Sequence, residues 1–328
     1  MQKFYRAILS QSWQLTKKYK WLWWFGFFAS LISSTGEIDS LMQNQNLANA
    51  PQFLNQLKDS VVNWDVESIF DGIGQSFSAA PLATLIASLI FLGLVFLFVW
   101  LGVTSQGALI DAAARFYQKK KLDFSTCFAK GKEKFWSLFG LNIVINIILY
   151  FALIILALPF AVIYLATNST AAMVILTILA FIILTPIAII LAFVLKYAFS
   201  YIVVENEPAW PAFVKAWKLF LNNWLISIEM AFIIFIINLA VGLSLVFGLL
   251  VLSLPFAAMI VVATTIGSNA LFNLALAVAI ILLALIILFT AGILTAFQYS
   301  SWTILFMEIK DKKIHPKLIR ILHNKINK

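Results

Sequence analysis

Apolar residues in this chain come in long unbroken runs. They show neither the alternation of a half-buried strand nor the three-and-four spacing of a helix on a soluble core. Six runs stand out, at residues 21–33, 82–103, 138–165, 171–195, 224–262 and 270–306. Crossing the ~30 Å hydrocarbon core takes about 20 helical residues. Backbone in lipid must satisfy its own hydrogen bonds, so the runs predict transmembrane helices rather than barrel strands. The first run is short and must borrow Tyr19, Lys20 and residues 34–36 to span. The fifth would be about 58 Å long if straight. It is expected to tilt, to start in the interface, or to break near Gly242, Gly248 or Pro255.

Between the runs, polar and apolar positions mix. In residues 1–20, Phe4, Ile8 and Leu15 share one helical face, with Tyr5, Leu9 and Trp13 beside them and basic residues on the rest. That pattern predicts a helix lying in the headgroup layer, leading into the interface residues Trp21, Trp23 and Trp24. Residues 124–136 and 210–220 predict two more such pieces. The loop 34–81 is rich in Asn and Gln, and Phe53, Leu57 and Val61 recur after Pro51 at four-residue spacing. It reads as a packed external loop of short amphipathic helices, and as a docking place for a protein partner. In the tail, residues 310–328, the stripe Ile314, Leu318, Ile321, Leu322 and Ile326 between basic residues predicts a helix bound to anionic headgroups.

The runs also repeat. Gln106-Gly107-Ala108, Lys196-Tyr197-Ala198 and Gln298-Tyr299-Ser300 superpose without gaps for about ten residues. Leu158-Pro159-Phe160-Ala161 and Leu254-Pro255-Phe256-Ala257 match in two of the outgoing runs. The reading is a single membrane domain, 1–309, made of units 1–120, 121–207 and 208–309. Each unit has an interfacial helix, an outgoing span, an outer turn and a returning span. All three enter from the same side, unlike the inverted repeats of many transporters. The fold class expected is all-α: a polytopic membrane protein with six transmembrane helices in three hairpin repeats.

Composition agrees: 62% of the 328 residues are hydrophobic, 11% are charged, and mean hydropathy is +0.97. A soluble domain is about half apolar and a quarter charged. The net charge of +9 matters through its placement. All Lys and Arg except Lys58 fall in segments that share one side of the membrane, which predicts cytoplasmic termini and an outward loop 34–81 in a plasma or inner membrane. The basic surplus thus reads as topology and lipid contact, not as nucleic-acid binding. Cys127 stands alone, leaving no intrachain disulfide to consider.

Candidate chemistry is sparse. Glu229 lies one to two turns inside the fifth run, and acids within spans are costly and often functional. Lys196, Gln106, Gln298 and Asn142 fall at similar cytoplasmic depth, so these five form a candidate polar intramembrane cluster, with a Glu229–Lys196 pair at its centre. Asn142, Asn146 and Asn238 are expected to hydrogen-bond between helices. Asp111 and Arg115 are expected to form a solvated pair one turn apart. His315 and His323 have no ligand companions at useful spacing, so no metal site is expected. No catalytic or cofactor motif is present, and enzyme activity is not expected.

The stretch Phe213-Val214-Lys215-Ala216-Trp217-Lys218-Leu219-Phe220-Leu221-Asn222-Asn223-Trp224, its looser counterpart from Phe128 to Trp136, and Ser12-Trp13 with Trp21-Leu22-Trp23-Trp24 carry a family likeness. In them the chain resembles bacterial six-span proteins related to the membrane domain of glycerophosphoryl diester phosphodiesterases. The resemblance implies a membrane domain without the separate soluble catalytic domain of those enzymes. Two functions are therefore carried forward. The first is a non-enzymatic envelope protein that binds lipid or a partner protein. The alternative is a transporter or channel with a polar site around Glu229. Polar residues concentrated in the cytoplasmic half favour the first.

Overall fold

The computed structural model describes residues 3–33, 81–167 and 170–311. The readings of the external loop and of the basic tail fall outside these residues. The described chain is helical throughout, without strands. Its helices are α1 (Lys3–Lys18), α2 (Leu22–Ser33), α3 (Pro81–Tyr117), α4 (Phe124–Glu133), α5 (Phe135–Thr167), α6 (Thr170–Val204), α7 (Ala209–Ile266) and α8 (Asn269–Asp311). Five helices are long and apolar enough to cross a membrane: α3, α5, α6, α7 and α8. Six were expected; the remaining one, α2, is a shorter apolar helix that ends where the described residues end. The 12 residues of α2 rise only about 18 Å, well short of the hydrocarbon core.

Of the three ways open to the long fifth run (tilting, starting in the interface, or breaking near Gly242, Gly248 or Pro255), the break is not the one seen. Helix α7 continues through Gly242, Gly248 and Pro255, and leaves helical geometry at Asn223 (φ −133°, ψ 26°). Asn223 can afford this because neighbouring polar groups take up the freed backbone. Its Nδ2 donates to the Leu219 carbonyl (3.1 Å), and Ser227 Oγ donates to the Asn223 carbonyl (3.1 Å). Around Gly242 and Gly248 the neighbours Leu239, Leu243, Val246, Phe247 and Leu250 are exposed and apolar, where an intact ladder keeps the backbone satisfied in lipid. Residues 209–222 thus form a separate interfacial segment before the span.

Packing follows a ring. α2 lies between α3 and α8, α5 packs on α6 and α3, and α7 packs on α6 and α8. Helices α3, α6 and α8 also touch one another. The amphipathic helices sit outside this frame, α1 on α8 and α4 on α3, while Phe220 before the Asn223 break stacks on Phe193 of α6 at 5.9 Å. The core gathers at one end, termed the inner end: residues 102–114 of α3, Leu138, Leu141 and Ile145 of α5, Ile226, Met230 and Ile234 of α7, and most of 191–203 and 296–309. Every tryptophan except Trp64, which lies outside the described residues, stands near this end, as an interfacial belt requires. Two glycine crossings set the spacing. A Cβ on Gly131 of α4 would fall on the Thr104 carbonyl of α3, and one on Gly26 of α2 would fall on the Gly292 carbonyl of α8.

Candidate ligand-binding site

At the centre of the ring is a cavity of about 540 Å³. Its walls are the three mutually touching helices α3, α6 and α8, with α5 and Ile32 of α2 at one side. The side chains that superpose in the sequence, Gln106, Lys196 and Gln298, all line it, and Asn142 joins them from α5. Ile110, Ser200 and Trp302, each four residues further along its helix, line it too. One turn of helix separates such positions, so a shared face at the first set carries the second with it. That spacing was readable, but nothing at Ser200 or Trp302 alone marked them. From Ala192 to Ser200 the lining on α6 covers about 12 Å along the axis.

Each polar group is held differently. The Lys196 ammonium lies over the Trp302 ring, 4.5 Å from its centroid, a cation–π contact. Gln298 Nε2 donates to Asn238 Oδ1 of α7 (3.1 Å), an interhelical bond of the kind expected. Asn146 Nδ2 instead donates within its own helix, to Asn142 Oδ1 (2.9 Å). Gln106 is only 2% exposed, and its Oε1 has no hydrogen-bond partner among the described residues. Trp302 Nε1 is in the same situation. Lys196 is the one charged side chain among the described lining residues. Below the cavity the inner end is closed by packed side chains, including Tyr197, Ile202, Ile304 and Phe306, and Tyr197 Oη and Ser227 Oγ share a hydrogen bond (2.7 Å).

Glu229 is the candidate that does not line this cavity. Its carboxylate accepts a hydrogen bond of 2.5 Å from the Tyr5 hydroxyl of α1. Sequence depth alone could not show this, because depth fixes height along the membrane normal and not direction around the helix.

A second polar group lies at the inner surface. Arg115 Nε donates to Asp111 Oδ2 (2.6 Å), as the spacing predicted, but Asp111 is 8% exposed and not solvated. The reason is α4, which the Gly131 crossing lays against α3 and which brings Cys127 beside Asp111. Burial, and then the Asp111 carboxylate, push the Cys127 thiol up to about 12. Nearby, hydrogen bonds from Lys130 and Lys134 hold Glu133 below the usual carboxylate range. Glu207 pairs with Lys215, and Glu205 with Lys310. Among the described residues, no three His, Cys, Asp or Glu side chains lie close enough to hold a metal ion.

No curated protein and no solved structure matches the chain. Residues 45–302 match the model of a family described as a domain of unknown function, DUF7847. The match takes in four of the five long helices whole, α8 as far as Trp302, and every cavity-lining residue named above except Ile32. With five long apolar helices and a family match over most of its length, this multi-pass membrane protein belongs to the DUF7847 family.

Proposed function

We propose that this chain is a non-enzymatic protein of the cell envelope that holds an anionic lipid headgroup in the cavity between α3, α6 and α8. In this reading α2 is the first of six crossings, both termini are cytoplasmic, and the three hairpins are repeats around the cavity. One observation carries it: Gln106 presents a buried oxygen without a described partner in a cavity whose one described charge is Lys196. An unmet buried acceptor costs about 1–3 kcal/mol, and an ionisable side chain within a span marks a candidate ligand site. A phosphate with its hydroxyl or glycerol substituents offers both an anion for Lys196 and a donor for Gln106 Oε1. Among the described lining residues there is no carboxylate, histidine or cysteine to serve as a general acid or base. The closed inner end supports binding over conduction. The tail's basic residues and the loop 34–81 remain the proposed contacts for lipid surface and protein partner.

The test is lipid retention. Full-length protein from nanodiscs containing phosphatidylglycerol is transferred to detergent, and bound lipid is counted by native mass spectrometry. Wild type is expected to keep one phosphatidylglycerol that Lys196→Gln loses at least fivefold, with an unchanged melting temperature. Equal retention by wild type, Lys196→Gln and Gln106→Leu would overturn the reading.

A further inference from the structure

A groove of about 700 Å³ runs up the outside of the ring between α7 and α8, with α1 across its inner end. This volume falls within the range of small-molecule sites, about 300–1,000 Å³. Its two ends differ. The inner end carries Arg6, Ser10 and Tyr5 of α1, all at headgroup level by the amphipathic pattern of that helix. The outer end is mostly apolar and includes Ile237 and Val241 of α7 and Thr290 and Leu294 of α8. Tyr5 is fixed by its bond to Glu229, and Trp13 by an edge contact to Phe297 at 6.3 Å. Arg6 is exposed and forms no ion pair among the described residues.

We infer that this groove is a second site, for an anionic glycerophospholipid: its phosphate on the Arg6 guanidinium, one acyl chain laid between α7 and α8. Both walls are helices long enough to cross a bilayer, so the neighbour of the outer end is hydrocarbon. A guanidinium at the mouth selects phosphate by paired hydrogen bonds. Lys17 and Lys18 end the same helix and add to the positive surface. The site is independent of the central cavity, with which it shares no lining residue.

The experiment uses full-length protein in nanodiscs doped with phosphatidylglycerol bearing a photoactivatable acyl chain, with adducts mapped by mass spectrometry. Labelling is expected to concentrate on peptides containing Val241 and Leu294. It should fall at least fivefold in Arg6→Gln and in Val241→Trp, which fills the groove, and should be weaker with a phosphatidylcholine probe. Lys196→Gln should leave it unchanged, which separates this site from the central one. The inference is overturned if Arg6→Gln labels like wild type. It is equally overturned if both probes label alike, if adducts spread evenly over outer-end residues such as Leu89 and Phe96, or if the groove is occupied by a second copy of the chain and takes no label.

Discussion

A methyl group added to Gly131, at the inner end, would land on the Thr104 carbonyl; one added to Gly248, toward the outer end, would meet nothing within 4 Å. Both glycines sit inside helices of one bundle, yet their surroundings are opposite. At the inner end small residues, such as Gly107, Ala108, Ala112 and Ala113, let backbones approach, and hydrogen bonds such as Tyr197–Ser227 and Gln298–Asn238 join helices. In the outer half Leu89, Phe96, Phe181, Phe247 and Phe289 are exposed on helices that carry almost no buried residues there. Hydropathy is high in both regions. In lipid, apolar surface alone does not drive helices together, so small residues and hydrogen bonds decide where they meet. The polar cavity stands where these regions join.

The sharpest way to break this comparison is one chemical change made twice. Gly131→Ala should lower stability by about 3 kcal/mol, because rigid backbone has to move. Gly248→Ala should raise it by about 0.5–1 kcal/mol through helix propensity. Thermal unfolding in a single detergent measures both, and equal effects would dissolve the distinction.

Cys127 reads the inner packing in another way. A thiol raised from 9.0 to about 12 leaves on the order of a thousandfold less thiolate at pH 8 than an ordinary one. Maleimide labelling of the folded protein should be correspondingly slow and become fast on unfolding. The sign for stability follows. The folded value lies above the unfolded one, so the contribution is complete below pH 9 and is lost as pH climbs toward 12. A melting temperature rising over that range would contradict the burial of Cys127. A smaller effect is expected from Tyr197→Phe, which removes the bond to Ser227 but keeps the ring packing. It should cost about 1 kcal/mol, read from the same melts.

The helices, the amphipathic entry pieces and the common depth of Gln106, Lys196 and Gln298 were all legible in the sequence, because each rests on local periodicity. What was not legible depends on neighbours distant in sequence. Asp111 is buried only because α4 lies over it, and Glu229 turns to Tyr5, 224 positions away. Asn223 breaks its helix, where Gly and Pro did not, because of what its side-chain neighbours can bond.

The crossing of Gly26 with Gly292 has a consequence for biosynthesis. These residues join α2 to α8, which is made after the other described helices. While the chain emerges from the ribosome, the Gly26 face of α2 has no counterpart, and the ring stays an open arc. Closure waits for α8 and then joins segments more than 200 positions apart, the kind of distant pairing that slows assembly. Until that moment the nascent arc presents unpaired small-residue surfaces, for which membrane insertion factors and proteases compete. A chain stopped short of Gly292 would thus be exposed to degradation however well its earlier helices had inserted.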